Sequence, residues 1–346
     1  MTIICFSDGY KGGASTFLEQ NIKYNLKKKN KIILVDKNFK QTFPNLKKNK
    51  YLKIYNLDIF KDKKKITRVI NDLKIENRVF FFTNYAILIY YFLFFISFKK
   101  KINIVLAIHS GVFKYNIRNI LGITLFSILA LRLNYLIFGS YSAKKWWVVK
   151  FPWLRLIKNK VIYNGIEKQQ KKRKNKHFFN VSFIGRLEKE NDPELFTKIA
   201  SINRSIKNIR FNIFGDGSLK KKISKKSKNI KFWGWSKKSK IYSNTDIAII
   251  TSPFNNFPYV ALESNSYGIP VITAAQGDIR KIVKNGYNGY IFKKRTLKNF
   301  NIYLKKTIKN YKELSKNSLI TANKFDINMS CNKLWRFIKI ENNNIR

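Results

Sequence analysis

The sequence predicts an α/β protein of two domains with parallel-sheet units. Three observations carry that expectation. Short apolar runs of strand character alternate with helical segments, which is the pattern of repeated βαβ units. The 346 residues suffice for two ordinary domains, and 45% hydrophobic with 15% aromatic content is that of a chain that folds. Lys168–His177 is polar, strongly basic and free of periodic apolar positions, so it reads as a linker. The expected division is 1–167, a linker at 168–177, 178–330, and a last segment at 331–346.

A formal charge of +51 dominates the composition. Lys, Asn and Ile are all abundant, as an A/T-rich coding bias produces. The lysines are scattered over 27–31, 47–50, 61–65, 99–101, 220–228 and 293–309 and do not gather into one tail or helix face. Compositional drift is the main reading, with attraction to an anionic membrane surface added to it. Scattered charge without a recognition motif is a poor nucleic-acid footprint, so no nucleic-acid partner is expected. Cys5 and Cys331 are the only cysteines, with neither metal-ligand spacing nor a disulfide framework, which suits a reducing compartment. Thr2–Phe6 lacks the basic and apolar regions of a signal peptide and reads as a first core strand. A cytoplasmic location is expected, with peripheral attachment at the inner face of the cell membrane as the extension.

Along the first half, Ser7–Ser15 is a glycine-bearing loop that leads into a helix from about Thr16 to Lys28, followed by a strand at Lys31–Asp36. Gly12 and Gly13 serve either a tight turn or the close approach of a ligand. Residues 37–78 are polar and lysine-rich and carry little signal. Val79–Phe82 is a strand. Ala86–Phe98 is apolar and aromatic and is closed by Lys99–Lys101. A helix of that length rises about 20 Å against a bilayer core of about 30 Å, so it cannot span. It is read as a core helix, the alternative being a helix that dips into a bilayer face. The strand Ile102–Ile108 delivers His109 to its carboxyl end, where α/β enzymes keep working residues; a lone histidine is otherwise structural. Leu121–Phe138 is a helix and then a strand, and Trp146, Trp147 and Trp153 are either core or interfacial anchors.

In the second half, the strand Asn180–Ile184 runs into Gly185-Arg186-Leu187. Glycine lets a phosphate approach the backbone, and Arg186 offers a planar fork for its oxygens. Arg210–Phe214 ends in Gly215-Asp216-Gly217, and Ile230–Trp235 contains Gly234. Asp246–Thr251 is an apolar strand, and Pro258 occupies the first turn of a short helix that Gly268 terminates. Val271–Thr273 follows at once as a strand, so loop 254–257 lies where a phosphate-bearing ligand binds in such a unit. Glu263 is the only charge on this helix, and a ligand hydroxyl is a reason for it. There is no Asp-x-Asp pair, and no metal site is expected. From Lys294 onward the chain is helical and basic, ending in a helix at Cys331–Ile340.

The run from Asn255 through Asn256, Phe257, Pro258, Tyr259 and Val260 to Glu263, with the Gly268–Thr273 turn and strand, resembles the donor motif of the retaining family 4 glycosyltransferases. The resemblance implies the GT-B fold, in which two Rossmann-like domains face a central cleft and the last helix, here within 331–346, packs back on the first domain. It implies a metal-independent hexosyltransferase without a cofactor, whose substrate is a nucleotide diphosphate sugar. The acceptor would be a glycan or lipid-linked molecule in surface polysaccharide or lipopolysaccharide synthesis. By the same resemblance Glu263 holds the ribose hydroxyls, while Asn256, Phe257, Pro258, Tyr259 and Val260 complete the donor loop. Gly185 and Arg186 grip the diphosphate, with Gly215, Gly217 and Gly234 on the nucleotide side and Gly12, Gly13 and His109 beside donor and acceptor. His109, Arg186 and Asn255 are the candidate catalytic residues. The chain departs from the family at two places. Asn255 stands where the family has a Glu, and Asn191 where it has a diphosphate-binding Lys, with Lys189 close by in sequence. These departures keep open an alternative, a non-catalytic relative that binds a nucleotide sugar or glycan.

Overall fold

The structure is a computed structural model that describes residues 1–9, 12–72, 78–87, 89–90, 102–109, 117–169, 178–225, 229–253 and 257–340. It divides into two compact units, Met1–Asn164 with Asn328–Arg346, and Gly165–Ile327. The chain passes into the second unit at an Asn-Gly turn just before the basic segment, most of which lies outside the described residues.

The first unit is a seven-stranded sheet in the order β3-β2-β1-β4-β5-β6-β7, with every pairing parallel. The strands are β1 (Thr2–Phe6), β2 (Lys31–Val35), β3 (Leu52–Tyr55), β4 (Arg78–Phe82), β5 (Ile102–Ile108), β6 (Tyr135–Phe138) and β7 (Asn159–Val161). A parallel sheet covered on both faces needs strands that are apolar without alternation, and the central strands meet that need. Successive side chains still point to opposite faces. Phe80 and Phe82 lie on the face of Phe6, with the Phe6 and Phe82 rings stacked at 4.8 Å. Phe81 points the other way, to Phe17 of the helix Gly13–Lys27 and to Trp335 of the last helix. That last helix is Ile327–Ile340, four residues longer at its start than the sequence suggests. The Trp335 indole N–H donates to the side-chain oxygen of Asn21 at 3.0 Å, fastening it to the first helix.

The weakly patterned residues 37–78 hold the edge strand β3 and a helix, Lys63–Asp72, that sends Ile66 and Ile70 into the core. Of the expected Ala86–Phe98 helix, Ile87 is buried, while residue 88 and residues 91–98 lie outside the described set. Trp147 is a core residue, half-buried Trp146 packs against the same core, and Trp153 is partly exposed.

The second unit is a six-stranded parallel sheet ordered β10-β9-β8-β11-β12-β13. Its strands are β8 (Phe179–Ile184), β9 (Ile209–Phe214), β10 (Ile230–Gly234), β11 (Ile247–Ile250), β12 (Val271–Ala274) and β13 (Gly289–Phe292). The chain winds from β8 outward through β9 to β10, then crosses to the far side of β8 for β11. The reversal puts a topological switch point between β8 and β11, and in open α/β sheets the ligand crevice lies there, at the carboxyl ends.

The helix after β11 is Tyr259–Ser266. Pro258 is its N-cap, with extended backbone, one position earlier than the first-turn placement suggested by sequence. The helix closes as a Schellman motif. Gly268 takes φ 66° and its N–H donates to Asn265 O at 2.9 Å, while Ile269 N–H donates to Ser264 O at 2.9 Å.

Candidate functional site

The carboxyl edge of the second sheet is held together at its glycines. Gly185 N–H donates to Phe214 O, Leu187 N–H to Asp216 O, and Gly215 N–H to Gly234 O, each at 2.9–3.0 Å. The loops after β8, β9 and β10 therefore form one continuous backbone surface. Gly215 is indispensable to it, because at φ 145° a Cβ there would sit 1.8 Å from Gly185 O. Gly217 meets the same surface against Leu187 O and the Glu188 carboxylate, which accepts from Ser218 N–H and Oγ.

Across the switch point, the loop after β8 is tied to the end of β11. Thr251 Oγ1 donates to the carbonyls of Asn191 and Asp192, and Ser252 Oγ donates to Glu190 O at 2.7 Å. Arg295 pairs with Asp192 and also donates to Thr251 O at 3.1 Å. Asp192 in turn caps the helix Pro193–Ile202 by accepting from Leu195 N–H. Asn191 closes the loop from within, its amide donating to Arg186 O at 2.9 Å. Arg186 itself projects outward, and its only charge partner in the described residues is Glu190 at 3.3 Å. Both side chains are exposed, and an ion pair of that kind contributes about 0–1 kcal/mol, so the guanidinium remains available to an anion. Lys189 is exposed in the short turn Lys189–Asn191.

Glu263 is buried, with 8% of its surface exposed, one turn into the helix after β11. One carboxylate oxygen accepts from the Tyr242 hydroxyl at 2.5 Å; the other pairs with Lys238 Nζ at 2.6 Å. Lys238 and Tyr242 are four residues apart on the helix Lys238–Ser243 and so face the same side. Burial first, and then the Glu263 charge, pushes the Tyr242 hydroxyl well above its ordinary range, so it stays a donor. Two of the other buried polar side chains are tied to backbone: Asn265 donates to Ile282 O and Ser266 to Glu263 O. The Ser264 hydroxyl has no partner among the described residues. Phe257 is buried against Phe325, and Tyr259 and Val260 open the helix half-buried. Asn255 and Asn256 lie outside the described residues. Gly234 adopts φ 64° at the end of β10, and no described heavy atom lies within 4 Å of where a Cβ would stand.

In the first unit, the chain reverses between β1 and β4, and Asn84 after β4 donates to Asp8 after β1 at 2.8 Å. Gly12 is the N-cap of the helix that begins at Gly13, and Ser15 bonds back to both its N–H and its carbonyl. Its φ of 179° is extended backbone, and no heavy atom of the described residues lies within 4 Å of where a Cβ would stand. No packing among the described residues demands glycine there. His109, at the end of β5, rests edge-on against Phe17 at 4.5 Å. The residue is partly exposed, yet both ring nitrogens are shielded and unpaired among the described residues. Burial lowers its pKa to about 4, so the imidazole is neutral at pH 7. Gly139 was not singled out in the sequence. A Cβ there would come within 2.7 Å of His109 Nδ1, so this glycine makes room for the ring. Lys238 and Tyr242 were missed for a different reason. One lysine has no distinguishing mark in a chain with 70 Lys and Arg residues. Among the described residues, no group of three or more His, Cys, Asp or Glu side chains is placed to hold a metal ion.

Residues 165–324 match the model of the family described as glycosyl transferases group 1. Lipopolysaccharide 1,6-galactosyltransferase of Salmonella typhimurium is 28% identical over 131 residues, 34% of this chain and 36% of that protein. A Klebsiella pneumoniae protein described as an uncharacterized 41.2 kDa protein in the cps region is 24% identical over 149 residues, 40% of this chain and 41% of that protein. The matched segments thus span well under half the length of these curated relatives. Among solved structures, Anabaena HepE in complex with UDP-glucose superposes with a TM-score of 0.77 at 15% identity, covering 98% of this chain and 99% of that one. The chain therefore has the GT-B fold, and the match to the glycosyl transferases group 1 model falls within its second unit.

Proposed function

We propose that the protein is a retaining hexosyltransferase that moves a sugar from a nucleotide diphosphate sugar to a glycan or lipid-linked acceptor in surface polysaccharide synthesis. The observation that carries this reading is the buried Glu263 carboxylate, set beside the β8/β11 switch point in the segment that matches the family model. Lys238, half exposed, can swing aside and leave the carboxylate to accept from ribose hydroxyls. The glycine-lined edge from Gly185 to Gly217 would bring backbone close to the phosphates, and Arg186 would take their charge. As the sugar–phosphate bond breaks, the acceptor oxygen bonds to the anomeric carbon on the same face and its proton leaves with the nucleoside diphosphate. Arg186 acts most strongly at that stage, when charge builds on the leaving oxygen. The reading assigns that role to side chain and amides without a metal, so turnover is expected to persist in chelator. Support for a nucleotide sugar comes from the UDP-glucose in the HepE complex, and support for a polysaccharide role from the two curated relatives.

One observation favours the non-catalytic alternative. Asn191 spends its amide on Arg186 O, so the diphosphate loop has no cation at that position. The test is a screen of UDP- and GDP-sugars by thermal shift, followed by NMR of the anomeric proton in any product. A product with the donor's anomeric configuration is expected. Inversion overturns the retaining mechanism, and binding without turnover favours the alternative.

A further inference from the structure

The helix Ile117–Leu129 in the first unit is apolar on two sides. One side sends Ile123 and Phe126 into the core. The other carries Leu121, Leu125 and Ile128, continued by Leu131 in the following turn, and all four are exposed, Leu121 by 66%. Positions 121, 125 and 128 share one helix face, so the exposure is a stripe. An apolar second face has no use in water, and contiguous exposed apolar surface marks an interaction site. The stripe is widened by the turn Pro152–Leu156. Trp153 in that turn donates its indole N–H to Ser127 O at 3.0 Å, which fixes the turn beside the helix, and Leu156 there is 81% exposed.

The charge around this surface is one-sided. Residues 77–166 contain no Asp or Glu and thirteen Lys or Arg, and all nineteen acidic residues fall in the rest of the chain. Arg132 directly follows Leu131 and Arg155 directly precedes Leu156 in the chain, and both are exposed, as are Lys150 and Lys158. The overall lysine bias therefore does not account for this region, because an acid-free run of that length is a separate feature. A second copy of the chain would present the same cations and be repelled. We propose that this face docks on an anionic lipid bilayer, with the apolar stripe and Leu156 entering the headgroup boundary and the cations meeting lipid phosphates. The helix has thirteen residues, and no helix among the described residues is long and apolar enough to cross a membrane, so it lies in the interface plane. The surface belongs to the first unit and stands whether or not the chain transfers sugars.

The test is flotation of the full chain with vesicles of phosphatidylcholine alone and of phosphatidylcholine with phosphatidylglycerol in equal parts. Wild type is expected on the phosphatidylglycerol vesicles, and a Leu121→Glu, Leu125→Glu, Leu156→Glu variant is expected to bind about tenfold more weakly or worse at an unchanged unfolding temperature. If the triple variant does not fold, Leu156→Glu alone, at the most exposed position, is expected to weaken binding in the same direction. Absence of wild-type binding overturns the proposal. So does variant binding equal to wild type, or a wild-type dimer in lipid-free solution that the substitutions dissolve.

Discussion

At the scale of residues, the proposed donor site turns on how Tyr242 and Lys238 hold the Glu263 carboxylate. Its two partners differ in environment, and the difference is measurable. Glu263→Gln keeps an oxygen for the Tyr242 hydroxyl and gives up the pairing with half-exposed Lys238, so stability should fall by no more than about 1 kcal/mol. Donor affinity should fall about 10- to 100-fold, the worth of hydrogen bonds to a charged acceptor. Tyr242→Phe inverts the pattern, leaving a buried carboxylate oxygen without its donor and costing about 1–3 kcal/mol in thermal or urea unfolding. The glycines separate in the same manner. Gly215→Ala forces a Cβ onto the Gly185 carbonyl, where backbone meets backbone and no side chain can yield, for about 3 kcal/mol. Gly12→Ala meets none of the described residues and has ordinary φ, so its unfolding should stay within about 0.5 kcal/mol of wild type. A Gly12→Ala enzyme that is stable but slow would place a ligand beside that position, whereas full activity would return Gly12 to the role of a turn. His109 adds a pH dependence. Its folded pKa of about 4 lies below the ordinary 6.5, so its contribution is complete above pH 6.5 and is lost as pH falls toward 4. In that window the unfolded chain takes up a proton that the buried ring refuses. His109→Asn should therefore lose less stability than wild type between pH 6.5 and 4, and parallel curves would contradict the burial.

At the scale of elements, the helix Tyr259–Ser266 is defined more by its ends than by its interior. Gly268→Ala would place a Cβ at φ 66° and within 3.3 Å of Leu319 and Ser315, for about 1–2 kcal/mol, read as a lower unfolding temperature. This end was legible in the sequence because Gly-Ile-Pro can only terminate a helix, and β1, β5, β8 and β11 were legible because buried parallel strands are unbroken apolar runs. Boundaries moved by one to four residues where caps decide them, as at Pro258 and Ile327. The edge strand β3 was not legible, because an edge strand is half-exposed and Leu52–Tyr55 interleaves lysine with apolar residues. Arg186 and Glu263 were open to a reading from sequence as a cation after a strand-end glycine and a lone charge on a helix, and Gly215 through the family resemblance. Lys238, Tyr242 and Gly139 could not, because their roles exist only through contacts made across the sheet edge.

At the scale of the whole molecule, two parallel sheets each reverse strand order once, and the named residues gather at the carboxyl ends beside those reversals. The charge is also organised at this scale, since the acid-free stretch falls almost wholly within the first unit and leaves the second to carry most of the carboxylates. The central claim is that the second unit binds a nucleotide sugar along the edge between Gly185 and Glu263. Hydrogen exchange followed by mass spectrometry, with and without the nucleotide sugar giving the largest thermal shift, tests it most directly. Slower exchange is expected at residues 185–192, 215–218 and 258–264, diminished in Glu263→Gln. Protection confined to the first unit, or none with any nucleotide sugar, would contradict it.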